Sequence, residues 1–343
     1  MKKRIEAIDL FCGAGGLSCG LSSQGICIKA GIDLDPYCEY PFTANHKGSK
    51  FLLCDVAKLT GKELEKYWSP GSIRLLVGCA PCQPFSTLAH GKRRRQDEKW
   101  YLLEEFARLV EESTPDLVTM ENVPGVRFHS PFQKFQNTLK RLGYQIDSSV
   151  IQCSKIGVPQ RRSRFVLVAS RLGAIKLGKV DIPQKTVREA IGHLPKIHAG
   201  ETDRTDSLHK AKRLSEINLK RIKASRPGGT WREWPESLRS PCHLKKEGST
   251  FGSVYARMEW DKPSPTITTQ CNNYGTGRFG HPEQDRAISL REAALLQSFP
   301  EDYQFVKAGE IALFNRIGRL IGNAVPPKLG EFVGKVLLNH ILS

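Results

Sequence analysis

The chain has 343 residues, 39% of them apolar, 8% aromatic and 25% charged, which allows a sizeable core and excludes a wholly disordered polymer. Lys and Arg number 52 against 35 Asp and Glu, a net charge of +17, and such an imbalance favours a polyanionic partner, nucleic acid being the commonest. There is no run of about 18 apolar residues, and the start MKKRIEAIDLF has neither an apolar stretch nor a cleavage site, so neither a membrane-spanning helix nor a secretory signal is expected.

Over the first 170 residues strand and helix patterns alternate. Strands are predicted at 4–10, 26–33, 51–54, 73–77, 116–120, 145–151 and 164–169, and helices near 17–24, 36–45, 60–67, 100–112 and 131–142. In the fourth helix Leu102, Leu103, Phe106, Leu109 and Val110 fall on one face at helical spacing. This alternation predicts an α/β fold, a doubly wound parallel sheet with helices on both faces, whose ligands bind at the carboxyl ends of the strands. Beyond residue 170 the periodicity weakens. Residues 171–260 hold 19 Lys/Arg against 10 Asp/Glu, a net of +9, and carry Trp231, Trp234 and Trp260. They predict a second, smaller, irregular domain, with the two nearer tryptophans in its core. The segment 266–269 (TITT) reads on propensity as a β-strand, with a groove-lining loop as the alternative. A helix from about 287, capped by Ser289 with Glu292 three residues on, ends at Pro300; a last apolar helix spans 328–342.

The loops after the strands carry the chemistry. DLFCGAGG at 9–16 ends the first strand, and three glycines in four residues permit a tight turn and close approach to a ligand. Asp33 ends the second strand, placed for ribose hydroxyls, and Asp55 ends the third. Without a phosphate-binding lysine, this set suits the nucleoside of S-adenosylmethionine. GCAPCQPFS at 78–86 offers Cys82 as a nucleophile; a redox pair of Cys79 with Cys82 is the alternative. The ten cysteines show no second close pair that would make a structural zinc site. A carboxylate, Glu121, stands in ENVP after the fifth strand. QRRSRFVLVA at 160–169 runs arginines into an apolar strand, and Arg162 and Arg164 at i, i+2 spacing are expected on one side of it.

The ordered set FCGAGG, PCQPFS, ENV, QRRSR, REAALLQSFP (291–300) and GNAVPP (322–327) resembles the DNA (cytosine-5) methyltransferase family of bacterial restriction-modification type, nearly end to end. The resemblance implies a Rossmann-like, S-adenosylmethionine-dependent catalytic domain over 1–170, a target-recognition domain over 171–315, and a segment 316–343 that returns to the catalytic domain. It implies Cys82 as nucleophile, Glu121 at the N3/N4 edge of cytosine, Arg164 at its O2, and Arg162 supporting the catalytic loop or a phosphate. Phe11 and the loop Gly13, Ala14, Gly15, Gly16 would line the cofactor, Asp33 its ribose, Leu34 the adenine face, and Asp55 with Val56 the adenine edge. Cys79, Pro81 and Leu102 would complete its surroundings, and Asn323 and Ala324 would close the methionine end. The segment 83–99, with Lys92, Arg93, Arg94 and Arg95, would close over the flipped base, although Asp97-Glu98-Lys99-Trp100 departs from the D-x-R-G stretch of many relatives. The implied partner is double-stranded DNA, bound by a monomer in the cytoplasm, with a cognate restriction endonuclease by analogy. The alternatives are a tRNA-cytosine methyltransferase, a catalytically silent nucleic-acid-binding module and a thiol-disulfide oxidoreductase.

Overall fold

The computed structural model describes residues 4–81, 101–245 and 252–342. They cluster into two compact units: one lies within Met1–Ile156, Ser163–Asp181 and Val325–Ser343, the other within Gly157–Arg162 and Ile182–Ala324.

The first unit is built on a seven-stranded sheet: β1 (Ile5–Leu10), β2 (Cys27–Asp33), β3 (Lys50–Leu53), β4 (Ile73–Gly78), β5 (Leu117–Asn122), β6 (Gln145–Gln152) and β7 (Ser163–Ser170), in the order β3-β2-β1-β4-β5-β7-β6. β1 and β5 are buried at every residue, as strands covered on both faces must be. The chain winds outward from β1 through β2 to β3, then returns to the other side of β1 for β4 and β5, so the order reverses between β1 and β4. β1 to β5 pair in parallel, but β7 runs antiparallel to both β5 and β6. The sheet is therefore mixed, where the sequence pattern predicted a parallel one.

The strands alternate their side chains between two faces. Ile8 and Leu10 of β1 share one core with Leu64 of α3 (Gly61–Glu65), Phe106 and Leu109 of α4 (Tyr101–Ser113), and Phe132 and Phe135 of α5 (Ser130–Arg141). Asp9 points the other way and accepts from Ser18 Oγ (2.6 Å) of α1 (Gly16–Ser23). On that side α1 packs against α10 (Pro327–Leu342), the last helix. The two backbones meet at glycines: a Cβ on Gly20 would fall on the Pro327 carbonyl oxygen, and one on Gly330 would stand 2.6 Å from the Leu17 oxygen. α2 (Glu39–Asn45) follows a 3-10 turn at Pro36–Cys38.

The second unit holds α6 (Val187–Ile191), α7 (Glu216–Lys223), α8 (Leu290–Leu296) and α9 (Phe314–Asn323), with isolated bridges among its described residues in place of a sheet. Trp231 and Trp234 are core residues at 4% and 2% exposure, grouped with Ile222, Tyr274 and Ala287. The segment 266–269 is not a strand, its first three residues lying outside regular structure and Thr269 opening a turn: the Ile267 amide donates to Gln160 Oε1 (2.9 Å) and Thr266 Oγ1 to the Arg161 oxygen (2.7 Å). Its threonines and isoleucine favoured a strand, but those bonds go to a side chain and to an irregular neighbour, not to a ladder. Ser289 and Glu292 form the capping box of α8 that their spacing predicted. Among the described residues no helix is long and apolar enough to cross a membrane.

Candidate active site

The register of the parallel strands brings the first unit's predicted residues to one edge. Asp33 pairs with Leu53, Leu10 with both Ile32 and Gly78, and Gly78 with Met120. The segments beginning at Asp55, Asp33, Phe11, Cys79 and Glu121 therefore stand side by side along the carboxyl edge. Backbone bonds extend the sheet by a residue there: Cys12 N–H donates to the Ile32 oxygen (3.0 Å), Cys54 N–H to the Asp33 oxygen (3.1 Å) and Cys79 N–H to the Leu10 oxygen (3.4 Å).

The glycine loop uses its conformational freedom. Gly13 and Gly15 have φ of 54° and 81°, and Phe11 holds φ 58° without being glycine, a conformation costing an ordinary residue roughly 1–2 kcal/mol and concentrated at ligand clamps. The Gly13 amide donates to Asp33 Oδ2 (2.9 Å) and the Asp35 amide to Oδ1 (2.9 Å). One carboxylate thus ties the loop of β1 to the end of β2. Burial, opposed by these amide donors, raises the Asp33 pKa. Beside it Leu34 is 67% exposed, an apolar side chain displayed at the edge. Asp55 Oδ1 accepts from the Ala57 amide (3.0 Å), while Val56 is buried. Ala14, Gly15 and Gly16 are buried, Gly16 opening α1 behind Gly15. Pro81 and Leu102 are half-buried.

Glu121, 5% exposed at the end of β5, is gripped from two sides. Arg164 Nε lies 2.8 Å from Oε1, and Cys79 Sγ donates to Oε2 at 2.7 Å. The antiparallel course of β7 makes the first contact: its register sets Glu121 opposite Val166 and Asn122 opposite Phe165, so the start of β7, with Arg164, reaches the carboxyl edge of β5. A carboxylate fixed in this way can exchange a proton with a ring nitrogen brought to it. Its neighbour Asn122 donates from Nδ2 to the Ala80 oxygen (3.1 Å), pinning the chain just before Cys82. Cys82 itself and the predicted closing segment 83–99, Trp100 included, lie outside the described residues.

The remaining predicted residues belong to the second unit. β7 begins at Ser163, so Arg162 precedes the strand, and the expectation that it shares a strand face with Arg164 does not hold. Its guanidinium, on a residue 5% exposed, donates to the carbonyl oxygens of Ile267 (3.1 Å), Gly322 (3.5 Å) and Ala324 (3.5 Å). Asn323 is exposed at the end of α9 and Ala324 is buried.

The sequence reading gave no role to two residues that support the loop, Asp9 and His46. Asp9 is wholly buried, and burial pushes its pKa up to about 7 against the pull of Ser18. His46 Nε2 lies 3.2 Å from the Gly15 carbonyl, and burial takes its pKa down to about 4. Asp9 stood in the quoted loop and could have been weighed as a buried carboxylate; His46 carried no local signal.

A family model described as C-5 cytosine-specific DNA methylase matches residues 5–339. The chain is 50% identical over 334 residues to the Type II methylase M.HgiDII of Herpetosiphon aurantiacus, covering 96% of this chain and 93% of the relative. It is 32% identical to the Type II methyltransferase M1.HphI of Haemophilus parahaemolyticus, covering 97% and 87%. Among solved structures, a chain described as a prophage-encoded DNA modification methyltransferase from E. coli shares the fold, with a TM-score of 0.76, 23% identity, and coverage of 99% and 100%.

Proposed function

The chain belongs to the C-5 cytosine-specific DNA methylase family and is a DNA (cytosine-5)-methyltransferase, and from that premise we propose that it modifies a cytosine rotated out of a short, specific duplex site, through a transient bond from Cys82 to ring carbon 6. The observation that carries the reading is the Glu121 carboxylate, held by Arg164 on the sheet edge that also carries the glycine loop and Asp33.

The family's methyl donor is S-adenosylmethionine, and the first unit's residues fit it. Each Asp33 oxygen takes one backbone N–H, which leaves acceptor capacity for two ribose hydroxyls. Leu34 offers an uncovered apolar surface for adenine, and a Cβ built on Gly13 would meet nothing within 4 Å, so the loop leaves room beside it. Asp55 and Val56 would take the adenine edge, and Phe11 with Gly13–Gly16 the remainder. Bound S-adenosylmethionine supplies an electrophilic methyl group, and the protein's task is to make carbon 5 nucleophilic.

That carbon is inert until a nucleophile adds at carbon 6. The Cys82 thiolate forms that bond and the ring becomes enamine-like. Glu121 shares a proton with N3 as negative charge develops, and Arg164 at O2 stabilises the same charge. After methylation a base takes the carbon-5 proton and the thiol leaves. The ring atom is out of reach inside a duplex, and extruding it costs a few kcal/mol; phosphate contacts from a basic protein offset that cost. We assign target readout to the second unit, which holds most of the basic segment 171–260, from Ile182 onward, and a role beside a cognate endonuclease is suggested by the Type II relatives.

The test is transfer of labelled methyl from S-adenosylmethionine to duplex DNA, together with trapping on a 5-fluorocytosine target. Wild type should label DNA and form a covalent adduct, and Cys82→Ser should do neither. Equal labelling by both proteins removes Cys82 from the mechanism. Labelling of tRNA in place of duplex DNA reassigns the substrate.

A further inference from the structure

We propose that Cys79 is a positioning residue for Glu121: its thiol holds the carboxyl oxygen favoured to carry the exchangeable proton. The inference rests on the proposed role of Glu121 and adds a residue to it. The family resemblance implied a place for Cys79 beside the cofactor; its sulfur lies 2.7 Å from the acid.

The two oxygens of Glu121 have different neighbours. Oε1 faces Arg164 Nε at 2.8 Å. That contact is an ion pair and not an aligned hydrogen bond, and the fixed positive charge beside Oε1 disfavours a proton there. Oε2, the oxygen 2.7 Å from Cys79 Sγ, is therefore the favoured site for a proton that Glu121 gains or gives up. A thiol suits that place because it works in both directions: S–H donates weakly to a carboxylate, and the sulfur accepts weakly from a carboxylic acid. A stronger fixed donor would compete with the ring nitrogen for the same oxygen. A weak one orients the carboxyl group and yields when substrate arrives.

The backbone leaves the sulfur little freedom to be elsewhere. β4 and β5 are in parallel register with Gly78 beside Met120, so the next residues, Cys79 and Glu121, are neighbours. Cys79 N–H is anchored to the Leu10 oxygen at 3.4 Å, and the Ala80 oxygen accepts from Asn122 Nδ2 at 3.1 Å. Both sides of the short link are tied to adjacent strands, one of them through the residue that follows Glu121.

Two measurements test the assignment. The first is independent of turnover: in infrared difference spectra of wild type minus Glu121→Gln, one S–H stretch should shift, and the shift should vanish when Cys79→Ser is the background. No shift, or one that persists without Cys79, overturns the proposal. The second is single-turnover methyl transfer against pH. Cys79→Ala should lower the rate roughly 3- to 30-fold, part of the ~10²–10⁴ that a positioned acid–base group supplies. It should also move the acid limb of the pH–rate profile while the KM for S-adenosylmethionine stays put. Cys79→Ser, which can both donate and accept but donates more strongly than a thiol, should recover part of the loss and not all of it. An unchanged rate and profile in Cys79→Ala overturns the proposal, and so does equal loss in both variants with weakened cofactor binding, since that marks a structural role. If wild type transfers no methyl to duplex DNA, the proposed function falls, and the spectra alone decide whether the thiol holds the carboxyl group.

Discussion

Asp33 and Glu121 are both carboxylates at strand ends, and their partners separate their tasks. Asp33 is bound by two backbone amides, donors that no side-chain motion withdraws, so it is a fixed acceptor. Glu121 is bound by two side chains and can trade a partner for substrate. Asp33→Ala should therefore weaken S-adenosylmethionine roughly 10- to 100-fold, since hydrogen bonds to a charged group contribute about 1.5–3 kcal/mol. It should also loosen the Gly13 turn, while duplex DNA binding stays near the wild-type value. Isothermal titration with each ligand separates the two effects, and equal weakening of both would contradict the assignment. Arg162 and Arg164 show the same division. They are two residues apart in one motif, yet the first is spent on main-chain carbonyls of the second unit and the second on a carboxylate of the first.

The reversed strand is the element on which the acid site depends. Laid parallel to β5, β7 would present its first residues at the opposite edge of the sheet, far from Glu121. The sequence showed that 164–169 is a strand, because an apolar run records burial, but such a run does not record direction. For the same reason the strands, the glycine loop, Asp33 and Glu121 were legible in advance, while the pairing of Cys79 with Glu121 needed the register. The second unit was harder to read. α6 and α7 are short and α9 was not foreseen, although Ile317, Leu320 and Ile321 stand at helical spacing and are buried.

Two contacts between elements lead to predictions. α1 and α10 touch through backbone at Gly20, where an added Cβ has no flexible side chain to displace. Gly20→Ala should lower the melting temperature, consistent with a cost of about 1–3 kcal/mol for overpacking, measured by scanning calorimetry. In the second unit, Arg286 makes a two-bond pair with Glu292, at 2.7 and 2.6 Å, both residues buried. Burial would raise the Glu292 pKa, but the guanidinium outweighs it and takes the pKa down to about 2. His281, 3.7 Å from Glu292, is held neutral by burial, its pKa down to about 4. Both folded values lie below their unfolded ones, so acid works against this core in two windows. As pH falls from 6.5 towards 4 the unfolded state gains the His281 proton first. The Glu292 contribution, complete above the ordinary carboxylate value of 4.5, is lost as pH falls towards 2. Glu292→Gln should cost about 3–5 kcal/mol at neutral pH, because it strands a buried guanidinium, and should flatten the lower window. Denaturant melts at stepped pH values would show both effects; a wild-type-like midpoint for the variant would mean that the pair contributes nothing.

At the scale of the whole molecule, the charge of +17 predicts association with DNA driven by counterion release. Binding to a duplex lacking the target should fall by a factor of about 10³–10⁵ between ~50 and 200 mM salt if six to ten phosphates are contacted. A fluorescence-anisotropy titration at stepped salt reads the slope directly, and a flat response would remove the electrostatic basis for DNA binding.

The packing of α10 on α1 also has a consequence in time. A ribosome delivers the sheet early and the helix that backs α1 last, after the whole second unit has been made. At ~5–20 residues per second, the interval between emergence of Ser170 and Pro327 is on the order of ten seconds. Throughout it the helix that starts at the glycine loop has one bare flank. A polypeptide abandoned before Pro327 accordingly leaves that flank of α1 uncovered.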